Sequence, residues 1–155
     1  MCLAVEANSR KILGFSVSRM PAKGRIAKKA LEKYGYRKDE RRGGWNHLFS
    51  QLQGSVSLEA TFTSDSHVSY PFLVRKYFPK ATHLQVKGQR GSSTGQGELK
   101  KIGYDPLFSL NHTCAMLRAN INRLFRKTWC TTKKLSSLEN HLAIYINYHN
   151  QVLTN

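Results

Sequence analysis

The sequence predicts an α/β fold from three observations. Short alternating apolar runs occur, longer runs place apolar residues at three- and four-residue steps, and the two kinds interleave along all 155 residues. A chain of this length suits one domain with a real core. A hydrophobic fraction of 40%, with Trp, Tyr and Phe spread from end to end, argues against disorder despite the high charge.

Taken in order, residues 3–18 read as two short strands about a turn at Asn8 and Ser9, with Ile12, Phe15 and Val17 among the apolar positions. After the break at Met20 and Pro21, Ile26, Ala30, Leu31 and Tyr34 fall at helical spacing, and Gly35 suits a C-terminal cap. The opposite face of that helix is lysine and arginine almost throughout. Residues 36–44 read as a basic loop, and Trp45, Leu48, Phe49 and Leu52 then share one side of a short helix that Gly54 ends. Residues 59–65 alternate as a strand does and stop at Asp65.

Tyr70, Leu73, Val74, Tyr77 and Phe78 line one helical face, with Pro71 near its start. Residues 81–87 form the next strand candidate, and the glycine- and serine-rich stretch that follows cannot support a regular element. Asp105 and Pro106 read as the N-cap and first-turn proline of a helix whose stripe is Leu107, Leu110, Cys114, Leu117, Ile121 and Leu124. Asn111, Arg118 and Asn122 lie on the adjacent face. Ser136 and Glu139 form a capping box for a last helix that buries Leu138, Leu142, Tyr145 and Ile146.

Charge narrows the function. The chain carries 25 Lys and Arg against nine Asp and Glu, a formal net charge of +16. Such an excess repels itself in the compact state and points to a polyanion, nucleic acid before a membrane surface. No apolar run approaches the roughly 20 residues of a spanning helix, and no signal-peptide pattern opens the chain, so a soluble cytoplasmic protein is expected. Cys2, Cys114 and Cys130 lie far apart without a CxxC pair, which suits a reducing compartment and excludes a disulfide framework or zinc knuckle.

Arg118, Arg123, Arg126, Lys127, Lys133 and Lys134 flank Trp129 in one stretch. They can form a solvated face, or they can contact DNA phosphates and release counterions. A second basic run, residues 23–33 with 37–42, is partly neutralised by Glu32, Asp39 and Glu40. Asp65 is either a strand-end residue that caps the following helix or a catalytic carboxylate. His67 is placed to orient a phosphate or to sit in solvent, His112 adjoins Asn111, and His141 and His149 read as surface or interface residues.

Two blocks carry a family likeness: "LAVEANSRKILGFSVSRMPAKG" together with "TSDSHVSYP", and "DPLFSLNHTCAMLRANINRLFRKTWCTTKKLSSLENHLAIYINYHN". They resemble bacterial DDE-type transposases of the smallest insertion sequences, in which an Arg-rich "LRRLxRRT" helix end is followed by "KK...NHLAxxxxxYN". The likeness runs over about residues 2–153.

It implies a ribonuclease H-like mixed sheet flanked by helices, with three acids holding two divalent ions, Mg2+ or Mn2+, for DNA strand cleavage and transfer. The first acid belongs on the central first strand, the second just after the fourth, and the third on the helix after the fifth. Asp65 falls on the second position and is the metal ligand carried over. For the third position, matching the Arg118, Arg123 and Arg126 segment gives Asn111, an amide that binds a hard cation more weakly than a carboxylate. Separation from Asp65 gives Glu98 instead, and both stand as candidates.

The first strand and its aspartate have no counterpart. The expectation is therefore an N-terminally truncated, single partial catalytic domain over residues 1–155, with its core in 2–128 and a helical part in 129–155. The absent strand belongs between the hairpin and the Asp65 strand, so two sub-sheets with unpaired facing edges are expected. The implied function is transposition through binding of transposon ends and target DNA, here in a truncated, DNA-binding form that is inactive alone. It would reside in the cytoplasm with the nucleoid, as a homo-oligomer or with a full-length transposase. The rival reading is a non-enzymatic basic DNA-binding protein that modulates such a transposase.

Overall fold

The hairpin that opens the chain is shaped by one extra residue. In the computed structural model, which describes residues 1–22, 24–25, 27–87, 105–124 and 134–154, β1 (Cys2–Val5) pairs antiparallel with β2 (Ile12–Ser16). The register steps from Ala4↔Gly14 to Val5↔Ile12, which leaves Leu13 over as a partly exposed bulge. The step turns Ile12 onto the face of Leu3, Val5 and Phe15, where it is buried. Without it the strand period of two would put Ile12 on the other side.

Helix α1 (Ala27–Tyr34) ends as expected at Gly35, whose φ of 70° lets its N–H reach Leu31 O at 2.8 Å. No residue of α1 is buried: Leu31 and Tyr34 are 52% and 47% exposed, Ala30 is half-buried, and Ile26 lies outside the described residues. Helical spacing shows that a face could be buried, not that a surface is available for it. The helical layers of the core are filled by other elements.

Helix α2 (Arg41–Leu52) begins four residues earlier than the expected loop allowed. The Asp39 carboxylate accepts the Arg41 N–H at 3.1 Å and grips its guanidinium at 2.5 Å, which starts the helix. Gly44 lies inside that helix because β2 passes close by. A Cβ there would fall 2.0 Å from Ser18 Oγ and 3.1 Å from Ser16 Oγ. A helical glycine costs about 1 kcal/mol relative to alanine, and close packing prevails over propensity here.

β3 (Thr61–Asp65) and β4 (Thr82–Val86) pair in parallel, with α3 (Tyr70–Tyr77) as the crossover between them. The described strands thus form two separate two-stranded sheets, β1-β2 and β3-β4, in a mixed α/β fold. One apolar layer underlies both. Leu48, Phe49 and Leu52 of α2 with Leu73, Val74 and Phe78 gather Cys2 and Ala4 from β1 and Phe62 from β3.

On the other face of the hairpin lie α4 (Phe108–Asn120), a 3-10 turn at Asn122–Leu124, and α5 (Leu135–Tyr148). Leu117, Ile121, Leu142 and Tyr145 close over Ile12, with Leu3, Val5, Phe15 and Val17 packed around them. Two expected caps differ. Asp105 sits two residues too early to be the N-cap of α4, although its carboxylate still takes the Leu107 N–H at 3.0 Å. The capping box does not form, because α5 starts at Leu135 and draws Ser136 into the first turn, with Lys134 as N-cap.

The chain end is tied to β2. A π-turn, His149–Leu153, continues α5. The Asn150 side chain accepts the Ile12 N–H at 2.8 Å and donates to Ile12 O at 2.9 Å. His149, expected on a surface, is 3% exposed, and its Nε2 lies 3.1 Å from Arg10 O. This contact falls where the hairpin holds Arg10 at the unusual φ of 63°. The amide of Asn150 thus does what a neighbouring strand would do at the bulge.

Asn150→Ala is expected to lower stability by about 2 kcal/mol, two backbone hydrogen bonds at roughly 1 kcal/mol each. Asn150→Asp is expected to lower it further by setting a carboxylate against Ile12 O. Urea denaturation reads both, and a midpoint unmoved in Asn150→Ala would contradict the assignment.

Candidate functional site

Asp65 ends β3, and the turn after it is fixed from several sides. Its Oδ1 accepts the His67 N–H at 3.1 Å, and the His67 ring nitrogen Nδ1 in turn accepts the Ser69 N–H at 3.2 Å. The Asp65 carbonyl receives Ser64 Oγ at 2.9 Å, and Gln85 of the neighbouring strand bridges Asp65 O and His67 O at 3.4 and 3.3 Å. Because Ser64 Oγ donates to that carbonyl, its 2.9 Å contact with His83 Nε2 makes the histidine the donor there. Burial lowers the His83 pKa, in keeping with a neutral ring.

Asp65 does not cap α3. Ser69 is the N-cap and makes no side-chain cap bond, so the carboxylate serves its own two-residue turn instead. The alternative of a cap gives way to a local turn because three residues separate Asp65 from the N-cap, Ser69.

An aromatic wall stands beside this turn. Trp45 meets the His67 ring edge-on at 4.9 Å and lies 6.0 Å from Tyr70, which is 5.6 Å from His67. Arg41 sits over the other part of Trp45, its Cζ 6.0 Å from the ring centroid. Cys2 joins the group: its thiol pKa is raised by burial, while the chain's N-terminal charge, Trp45 and Arg41 act in the opposite sense. Tyr70 is pushed up to about 12, first by burial and then by the negative charges of Asp65 and Cys2.

Asn111 lies elsewhere. Its Nδ2 donates to Asp105 Oδ2 at 3.1 Å, and two residues earlier Ser109 Oγ donates to Ala7 O at 2.6 Å. Ala7 follows β1 at the end away from Cys2, about 15 Å off by strand rise. Asn111 makes no hydrogen bond to Asp65, whose carboxylate takes the His67 N–H instead. Glu98, Arg126, Lys127 and Lys133 lie outside the described residues. Arg118, Arg123 and Lys134 are exposed, the first at the end of α4, the second in the 3-10 turn and the third at the start of α5.

Among the described residues no three His, Cys, Asp or Glu gather as a metal site. Asp65 offers one carboxylate, and a divalent ion requires more oxygen ligands than that. The described residues do not by themselves fit the Mg2+ or Mn2+ pair. Trp45, Tyr70 and Arg41 were not singled out from sequence as neighbours of Asp65. A helix drawn through residues 41–45 would have found one link, since Arg41 and Trp45 stand four apart on one face.

No protein-family model, curated protein or solved structure matches the chain. Among the described residues no helix is long and apolar enough to cross a membrane.

The raised Tyr70 has a consequence for pH. The fold favours the neutral phenol, so its contribution to stability is complete below about pH 10 and is lost as the pH rises toward about 12. Asp65→Asn removes the second cause and is expected to move the Tyr70 titration down. Phenolate absorbance, as the difference between parent and Tyr70→Phe, isolates that group. An Asp65→Asn titration identical to the parent would show that the carboxylate does not act on it.

Proposed function

We propose that this chain is a DNA-binding protein related to DDE transposases, acting through backbone phosphates and lacking strand-cleaving activity alone. The observation that carries the reading is the strand arrangement. An antiparallel hairpin and a parallel pair rest on one helical layer, with the acid at the carboxyl end of β3 and a crossover helix after it. This is the pattern expected of a ribonuclease H-like sheet whose central strand is not among the described ones. Asp65 then occupies the second acid position.

Binding without cleavage is favoured by the solitary carboxylate at that turn. Among the described residues Asp65 has no second acid or histidine ligand grouped with it, so the reading rests on phosphate contacts. The net charge of +16, with Arg118, Arg123 and Lys134 exposed at the ends of α4 and α5, suits phosphate contacts instead. A role in modulating a full-length transposase, by occupying its DNA or by co-assembly, follows from the same features. Asn111 and Glu98 remain the proposed equivalents of the third acid.

Duplex DNA affinity is expected to fall steeply with salt and to need no divalent ion. Replacing both Arg118 and Lys134 with alanine should flatten the slope of log K against log salt by about two, near 0.9 per phosphate contact. Asp65→Ala should leave binding unchanged. Fluorescence anisotropy across a salt series reads these outcomes. Cleavage of supercoiled DNA by the chain with magnesium or manganese, abolished in Asp65→Ala, would overturn the non-catalytic reading.

A further inference from the structure

One continuous stretch of chain is left outside the core. Every residue from 31 to 40 is exposed, and this run holds two tyrosines. Tyr36 is 80% exposed, a rare condition for a ring that could have been buried. Tyr34 is flanked by cations, with Lys33 Nζ at 5.4 Å and Arg37 Cζ at 5.2 Å from its ring centroid. Such contacts hold charges in place through the ring's negative face. Across residues 25–42 there are eight basic side chains against three acidic ones, and one of the acids, Asp39, is engaged by Arg41.

We propose that this surface is a track for single-stranded nucleic acid. Tyr36 stacks on a base, Lys33 and Arg37 hold phosphates from their seats on Tyr34, and Arg41 passes the strand along Trp45 toward Asp65. The inference deepens the DNA-binding reading above and rests on it. The direction comes from the contact chain: Arg41 lies over Trp45 at 6.0 Å, Trp45 meets His67 at 4.9 Å, and the His67 N–H binds the Asp65 carboxylate.

Single strands are favoured over duplex because a free ring can stack only on a base whose face is open. A membrane surface is disfavoured by the size of the apolar face. Between the start of α1 and Gly35 it offers two large side chains, Leu31 and Tyr34, beside Ala27 and Ala30, and Tyr34 already carries Lys33 and Arg37 against its ring, whereas interfacial helices carry several large apolar side chains.

The test compares binding of the full chain to a labelled oligothymidylate and to a duplex of equal length, by anisotropy at one salt concentration. Tyr36→Ala is expected to lose about tenfold in single-strand affinity while duplex affinity stays within about twofold. Tyr36→Trp is expected to retain single-strand binding. Its exposure makes Tyr36 safe to replace, and a urea midpoint equal to the parent's confirms folding. Equal losses on both ligands, no loss on either, or lost binding to phosphatidylserine vesicles with oligothymidylate binding intact would each overturn the track. If duplex binding keeps its salt dependence while Tyr36 proves irrelevant, this inference fails and the DNA-binding reading stands. If the parent binds neither nucleic acid, both fail.

Discussion

Everything in this fold depends on the apolar layer made by α2 and α3. Two-stranded sheets are marginal alone, and no backbone ladder joins β1-β2 to β3-β4. What unites them is side-chain burial: Leu48, Phe49, Leu52, Leu73, Val74 and Phe78 contact residues from both sheets at once. At about 25 cal/mol per Å2, burial is the term that can replace missing hydrogen bonds between strands. It is not directional, however, and cannot fix the register of one sheet against the other. Aromatic contacts at both ends of β3 supply geometry where the ladder does not. Phe62 stacks on Phe49 at 6.1 Å and tilts against Phe78 at 4.9 Å, and Trp45 joins α2 to the turn after β3.

The second constraint is charge. A surface at +16 opposes the compact state, and the opposition grows as salt is lowered. Among the described residues the fold answers by burying no lysine or arginine, and many of them stand on α1 and the segment after it. A polyanion that binds the folded chain relieves this repulsion and adds its binding free energy to stability. Binding and folding are therefore linked through the same side chains. The exposed α1 belongs to this logic, because a helix that gives the core nothing is free to present lysines outward.

Much of the fold was legible because its signals are local. The hairpin, the crossover helix at Pro71, the strand after it and the stripe on α4 follow from period and punctuation, and Leu117, Ile121, Leu142 and Tyr145 are buried where spacing put them. What could not be read is set by contact between distant residues. Gly43 and Gly44 look like loop residues until β2 is known to pass over Gly44. Ser136 and Glu139 satisfy the capping pattern but lie two residues too far inside the helix. Asn150 has no propensity signal for completing a strand 138 residues away, yet it does so with both atoms of its amide. At the candidate site, Asp65 was conspicuous as an isolated acid, while Trp45 and Tyr70 read as ordinary core positions. Their second role appears only when α2 and α3 converge.

The Asp65 turn also separates two things a carboxylate can do. Its carbonyl is held by Ser64 and Gln85 and its Oδ1 by the His67 N–H, so the backbone is placed before any ligand arrives. Preorganisation of this kind is what a metal site requires of its first ligand, but coordination also needs neighbouring oxygens. Among the described residues those oxygens are not assembled around Asp65. What the fold does secure is the position of one carboxylate: Gln85 of the paired strand holds the turn from one side, and the rings of Trp45 and Tyr70 pack on His67 from the other. The placement of Asp65 is thus set by strand pairing and by the convergence of α2 and α3, not by the residue itself.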